Sequence, residues 1–410
     1  MSFRSECVMT SAAPHVRPAD PNLARPAPDA GVERDVQIRR YALSARRNLA
    51  RISIACPRFG DLLNVFPGAA FRIATWTGPT EDLERAIRLV HDGAPLREIA
   101  EHLRLPFWLR RLPPEAFNST IPDLPGDPLF SRRVGNVLPR SPRASALWLD
   151  AVGFGHVAAG EDFAMWLASQ PILEERGLAK ELFAVLAAYA WHSTNRGTRA
   201  SRLILVPWHS EMAFDSALCS ARAWLNRLRL VLQMKPGIVT DPWLAPGVAN
   251  GVEFVPLLTA GDLLDEAADM RNCADQFTDR IVREKSRLFG LRRDGLRFAT
   301  LEIGQHAREV GVLDIVQLKG RANAQASADA WRATHAWLAQ QKSLLRAPLL
   351  AAEDLRYDAR TWTVLMRPYR TAIGGASWLP ETMTSAAFAR LANNMSELAR
   401  RARVTSWLFN

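Results

Sequence analysis

The spacing of apolar side chains predicts helices in the first part of the chain. Apolar residues recur every three to four positions in three stretches, residues 144–159, 178–191 and 211–233. An earlier segment, residues 80–111, has the outline of a helix-turn-helix, with a stop at Gly93 and a short third piece. That third piece carries Phe107 and Trp108 instead of polar side chains, which favours a structural three-helix corner over one that reads DNA.

The pattern changes to short strands after residue 251. Residues 251–258 predict a strand, and Thr259 starts a helix whose apolar face continues to Ile281. Asp294-Gly295 separates the first two of three further strands, and this dipeptide is typical of a tight hairpin. Short connections make these strands antiparallel, and a helix resumes near Ser327. The three further strands are predicted at residues 286–293, 296–304 and 312–320.

These patterns predict an α+β fold, with a mainly helical N-terminal half and a C-terminal antiparallel β-meander flanked by helices. Residues 1–33 are rich in Pro and Ala and are expected to form a disordered tail. Residues 34–245 form the predicted helical region, and the stretch from Pro236 to Gly251, rich in Pro and Gly, is the predicted linker. Residues 246–410 form the predicted α+β domain, including the C-terminal helices.

The amino-acid composition and net charge favour some classes of partner over others. The 410 residues are 48% hydrophobic, which excludes a wholly disordered chain. Lys and Arg number 52 against 42 Asp and Glu, and the net charge of +10 favours acidic partners such as nucleic acid. The four cysteines lie far apart, so we expect no metal site, no cofactor and a reducing, cytoplasmic compartment. The longest apolar run, residues 182–191, is too short to span a membrane.

A set of short motifs in the second half resembles the PcfJ-like domain family. The motifs are Met270-x-x-Cys273, Leu291-Arg292, Ala299-Thr300-Leu301-Glu302 and the run from Ile315 to Gly320 followed by Asn323. The resemblance covers about residues 255–338. It implies an α+β domain in a bacterial, cytoplasmic protein of a conjugative plasmid, phage or other mobile element, and it implies no particular reaction. The chain has Asn272, Ala274 and Phe277 where the family pattern often has His, Val and Tyr.

Four polar residues on the meander are candidates for a small catalytic or ligand-binding pocket. Cys273 is a candidate nucleophile, although a small buried cysteine on a helix edge fits the same position. Glu302 is a candidate general base, or else the partner of a cross-strand ion pair. Gln317 lies in an apolar strand and must find hydrogen-bond partners, while Asn323 caps a helix or binds a ligand.

A second candidate site consists of the cations around the hairpin, which could contact a phosphate backbone. The alternative is a charged surface that prevents edge-to-edge pairing of the sheet. We therefore expect a nucleic-acid-associated accessory factor of a mobile element, without membrane contact. The alternatives are an enzyme with a small polar pocket and a scaffold that binds a partner protein through its Trp-rich helical half. The cations are Arg287, Arg292, Arg293, Arg297, Lys319 and Arg321.

Overall fold

The computed structural model describes residues 30–139, 141–170, 173, 180–234, 240–306, 308–309, 312–341, 357–374 and 379–408. Within these residues the protein has the predicted α+β architecture, with a helical layer and one antiparallel sheet. Of the predicted tail, residues 1–29 lie outside the described part. Residues 30–33, by contrast, are helical. They form the start of the first helix, which packs on the core through the buried side chain of Ile38.

Short helices form the first part of the helical layer. Pro57 and Pro67 each occupy a first helical position, where the missing N–H costs no hydrogen bond. Gly93 ends the fifth helix in a left-handed conformation with φ of 76°. These helices are α1 (Ala30–Arg39), α2 (Leu43–Ala55), α3 (Pro57–Val65), α4 (Pro67–Ala74), α5 (Thr80–Asp92) and α6 (Leu96–His102), followed by 3₁₀ turns at Phe107–Arg111 and Pro114–Ala116.

Longer helices form the second part of this layer and bury its tryptophans. Trp148 and Trp224 are at most 2% exposed, and Trp166 and Trp208 also lie in the core. These rings fill the interior of the helical layer. The helices are α7 (Pro128–Val134), α8 (Pro142–Ala159), α9 (Glu161–Ala168), α10 (Lys180–Thr194) and α11 (Phe214–Gln233).

A five-stranded antiparallel sheet follows, with its strands in sequence order. The predicted hairpin at Asp294-Gly295 is confirmed, since these residues have φ of 51° and 78°. The first strand lies in the segment predicted as linker. It pairs with the second through Asn250-Gly251, another dipeptide with two positive φ angles. The strands are β1 (Gly247–Ala249), β2 (Val252–Pro256), β3 (Ser286–Arg293), β4 (Leu296–Gln305) and β5 (Leu313–Gly320).

Helices cover both faces of the sheet. On one face lies α14 (Ala328–Ala339), whose Trp337 stacks on Phe254 with ring centroids 4.5 Å apart. On the other face lie α12 (Ala260–Met270) and the short α13 (Thr278–Val282). Strand alternation sends Leu301 toward Trp337 and sends Thr300 and Glu302 toward the opposite face. The polar candidates of β4 therefore lie on the side of α12.

The helix that begins at Thr259 is shorter than predicted. It starts with the expected capping box between Thr259 and Asp262, and it ends at Met270 because Arg271 is left-handed, with φ of 51°. Cys273 consequently lies in a turn at the start of a short 3₁₀ helix, not on the edge of a continuous helix. In that turn Asn272 Oδ1 accepts a hydrogen bond of 3.0 Å from the backbone N–H of Ala274.

The C-terminal helices pack on the helical layer instead of the sheet. They are α15 (Ala359–Ala372) and α16 (Ser385–Leu408). Trp362, Met366 and Phe388 belong to the same apolar core as α10 and α11, which explains this placement. The sheet unit is therefore an insertion between α11 and α15, and not the whole of residues 246–410. Among the described residues, no helix has the length and apolar character that crossing a membrane requires.

Candidate functional site

A small cleft on the α12 face of the sheet brings the four polar candidates together. Cys273 comes from the turn after α12, Glu302 from β4, Gln317 from β5 and Asn323 from the turn after β5. The cleft is small, with a cavity volume of about 20 Å³. Its other lining residues are Asn272, Ala274, Phe277, Leu288, Thr300 and Lys319.

A bulge in β5 sets the position of Gln317. Glu302 lies opposite Gln317, whereas Ile303 lies opposite Ile315, so Val316 is an extra residue in β5. The neighbouring strand makes room for this bulge with Gly304, because a Cβ there would lie 2.5 Å from Val316 Cγ2. The two polar side chains Glu302 and Gln317 are thereby held opposite each other beside the cleft.

Glu302 is almost completely buried, with 1% of its surface exposed. Gln317 Nε2 donates a hydrogen bond of 2.9 Å to Oε2, and Arg280 Nη1 lies 3.0 Å from Oε1. Burial raises the pKa of Glu302, while the charge of Arg280 and hydrogen bonds from Ser286 and Gln317 act in the opposite direction. Each carboxylate oxygen already has a protein partner, which favours a structural network over a general base.

Cys273 lacks the surroundings that activate a nucleophile. Its Sγ lies 4.0 Å from Asn323 Oδ1, and no histidine lines the cleft. Burial raises the pKa of the Cys273 thiol, and the negative charges of Asp275 and Glu302 raise it further. A raised pKa disfavours the thiolate, which is the nucleophilic form. The cleft can thus offer hydrogen bonds from a thiol and several amides, but it does not favour covalent catalysis.

A second polar network, which the sequence analysis missed, lies behind the cleft. Asn272 Nδ2 donates to Thr300 Oγ1 over 2.8 Å, and Thr300 donates to the fully buried Glu266 over 2.5 Å. Burial also raises the pKa of Glu266. Gly290 leaves the necessary space, because a Cβ there would lie 3.0 Å from Glu266 Oε2. A carboxylate within the apolar stripe of α12 was the sequence signal for this network.

Some of the cations that were predicted to contact nucleic acid are buried or ion-paired in the structure. Arg287 is 1% exposed, lies 4.4 Å from the ring centroid of Trp243 and donates to the backbone oxygen of Ile281. It cannot reach a phosphate backbone, so its assignment to the nucleic-acid site is wrong. Arg297 is also engaged, since its guanidinium forms ion pairs with Glu266 and Asp269.

The remaining cations of this set lie at one end of the sheet. Arg292 is half-buried, and Arg293 is exposed with its Nη1 4.0 Å from Asp329 Oδ2. Lys319 and Arg321, at the end of β5, are exposed, and neither has a carboxylate within 4.0 Å among the described residues. Lys319 also lines the cleft, so the basic end of the sheet is continuous with it.

The structural network in the cleft leads to a stability prediction. Gln317→Ala should lower the free energy of unfolding by about 1–3 kcal/mol, because the buried Glu302 loses a hydrogen-bond donor. Asn323→Gly, at an exposed position whose positive φ of 60° glycine tolerates, should change it by no more than about 0.5 kcal/mol. Urea unfolding of both variants checks this. Equal stability of Gln317→Ala and the unmodified protein would contradict a structural role for Gln317.

Comparison with known proteins adds no family to these observations. No family model, curated protein or solved structure matches the chain.

Within the described residues, no group of three or more His, Cys, Asp and Glu side chains is arranged to hold a metal ion.

Proposed function

We propose that this protein is a nucleic-acid-associated accessory factor that contacts the phosphate backbone without strong sequence preference. The resemblance of residues 255–338 to PcfJ-like proteins supports a bacterial mobile element as the setting of such a factor. The observation that carries the proposal is the pair of exposed cations at the end of β5, Lys319 and Arg321, which lack an acidic partner among the described residues. The net charge of +10 supports it.

Unpaired surface cations suit phosphate contacts for a physical reason. A cation already bound to a carboxylate must lose that partner before it can bind phosphate, whereas Lys319 and Arg321 need only exchange water. Each phosphate that the protein neutralises releases condensed counterions, so affinity falls as salt rises. Contacts of this kind position a protein on nucleic acid and carry no direct sequence information.

Fluorescence anisotropy with labelled single-stranded and duplex oligonucleotides tests the proposal between about 50 mM and about 200 mM salt. We expect binding at low salt that weakens as salt rises. In the double variant Lys319→Ala/Arg321→Ala, the slope of log K against log salt for the single strand should become shallower by about 1.4, because two contacts are lost.

The matched control is Arg283→Ala/Lys285→Ala, which removes the same charge from exposed positions at the opposite end of the sheet. It should retain the slope of the unmodified protein. If no oligonucleotide binds even at low salt, the proposed function is wrong. An unchanged slope in the Lys319/Arg321 variant would remove these two residues from the interface.

A further inference from the structure

A wide groove in the helical layer has a strongly basic lining. It lies between α6, the 3₁₀ turn Phe107–Arg111 and α7, it is open to solvent, and its volume is about 780 Å³. Five arginines and one acidic residue, Glu101, line it. The arginines are Arg97, Arg104, Arg110, Arg111 and Arg132.

The electrostatics of this groove differ from those around several buried or half-buried arginines of the protein. All five arginines are exposed, and none has a carboxylate within 4.0 Å among the described residues. By contrast, Arg227, Arg229 and Arg287 each bind an acidic side chain. Because five positive charges face one negative charge across a concave surface, the groove concentrates a positive potential that attracts a polyanion.

The floor of the groove is aromatic and firmly packed. Arg97 and Arg110 place their guanidinium groups 5.7 and 4.8 Å from the ring centroid of Phe107. Trp108 packs against Phe130 of α7 and Trp148 of α8, with centroids 6.1 and 5.9 Å apart. The indole Nε1 of Trp108 is buried without a hydrogen-bond acceptor among the described residues. The groove therefore combines cations with one partly exposed aromatic ring, Phe107, above buried aromatic packing.

The shape of this region does not suit the reading of duplex DNA. A helix-turn-helix protein places a protruding recognition helix in the major groove. The third element here is a five-residue 3₁₀ turn, and its Trp108 and Leu109 are buried. Single strands differ, because their unstacked bases lie on aromatic rings or guanidinium planes while the phosphates follow a basic channel.

From this combination we infer that the groove between α6 and α7 is a binding site for single-stranded nucleic acid. The inference rests on the proposed function, to which it adds a second contact region and a class of ligand. The five arginines contact successive phosphates, and Phe107 with its two flanking guanidinium groups supports the bases.

A charge-matched pair of variants tests the location. Arg104→Ala/Arg110→Ala/Arg132→Ala removes three groove cations, and the control removes three exposed arginines that have no ion pair among the described residues. A labelled 20-nucleotide oligothymidylate at about 50 mM salt is the probe. The groove variant should bind at least about tenfold more weakly, with a salt slope shallower by about 2, whereas the control should bind within about twofold of the unmodified protein. The control is Arg196→Ala/Arg199→Ala/Arg202→Ala.

A second substitution tests the stacking surface separately from charge. Phe107→Leu should weaken binding of the oligothymidylate by about fivefold or more and leave the salt slope unchanged. The Phe107→Tyr variant should bind as tightly as the unmodified protein. The melting temperature of each variant shows whether it is folded, and the Tyr variant preserves the test if the Leu variant is not. Oligouridylate in parallel distinguishes RNA from DNA as the preferred strand.

Three outcomes would overturn the inference. If the groove variant binds the oligothymidylate as tightly as its control, the site lies elsewhere and the proposed function stands. Tighter binding of a duplex of the same length would exclude a single-strand site. If the unmodified protein binds neither probe at low salt, the proposed function and this inference both fail.

Discussion

Arg227→Met should lower the free energy of unfolding by about 3–5 kcal/mol at neutral pH. Arg227 Nε lies 2.8 Å from Asp275 Oδ2, and the two side chains are only 5% and 7% exposed. Without the guanidinium, Asp275 becomes an unpaired charge in the core. The pair also ties α11 to the turn that carries Cys273, so its loss loosens the cleft.

The pH dependence of this variant supplies an independent check. Burial raises the pKa of Asp275, and Arg227 opposes that rise. In Arg227→Met the pKa should rise further. The folded state then binds more protons than the unfolded chain, so stability lost at neutral pH returns as pH falls toward the ordinary value of about 4.

Urea unfolding at neutral and acidic pH measures both effects. The matched control is Arg390→Met, which breaks the pair with Glu181, where the side chains are 56% and 48% exposed. That pair should be worth no more than about 1 kcal/mol. A loss in Arg227→Met as small as the loss in the control would show that the buried pair does not anchor the turn.

Acid should destabilise the helical layer through one buried histidine. His192 has no exposed surface, and burial lowers its pKa to about 4. The unfolded chain takes up a proton near pH 6.5, so the stability that neutral His192 contributes is complete above about pH 6.5. It falls as pH decreases toward the folded pKa, with a total loss of about 3 kcal/mol.

His192→Asn should remove this acid-dependent loss, because an amide does not take up the proton. Comparing urea unfolding of the two proteins from about pH 7 to about pH 4 isolates the effect. The buried carboxyls have raised pKa values and opposite slopes, but they are present in both proteins and cancel. The control is His335→Asn on the exposed side of α14. Parallel pH curves for His192→Asn and the unmodified protein would contradict the prediction.

Local signals predicted much of the fold because they act within a few residues. Asp294-Gly295 turns the chain by its positive φ angles, and Thr259 with Asp262 caps a helix, without help from distant contacts. Asn250-Gly251 carries the same turn signal, but β1 has only three residues, too few for an apolar alternation. The break at Arg271 was not predicted, because the apolar spacing continues across it while the backbone turns.

Contacts between residues far apart in the sequence determine the features of the site that local patterns do not predict. The four cleft candidates could be proposed from single polar residues in apolar strands, but their meeting depends on the register of β4 and β5 and on the bulge at Val316. Arg287 has the same charge as Lys319, and only the packing of Trp243 against Arg287 shows that the arginine is buried. The groove arginines come from α6, a 3₁₀ turn and α7, whose proximity no local pattern encodes.

The salt dependence of single-strand binding by the unmodified protein tests nucleic-acid association most directly. Anisotropy with the labelled oligothymidylate at several salt concentrations between about 50 and about 200 mM gives log K against log salt. We predict a straight line with a slope of about −3.5 or steeper, because at least five phosphate contacts are expected, two at the end of β5 and three or more in the groove. Absence of binding at the lowest salt, or a slope near zero, would contradict a function based on phosphate contacts.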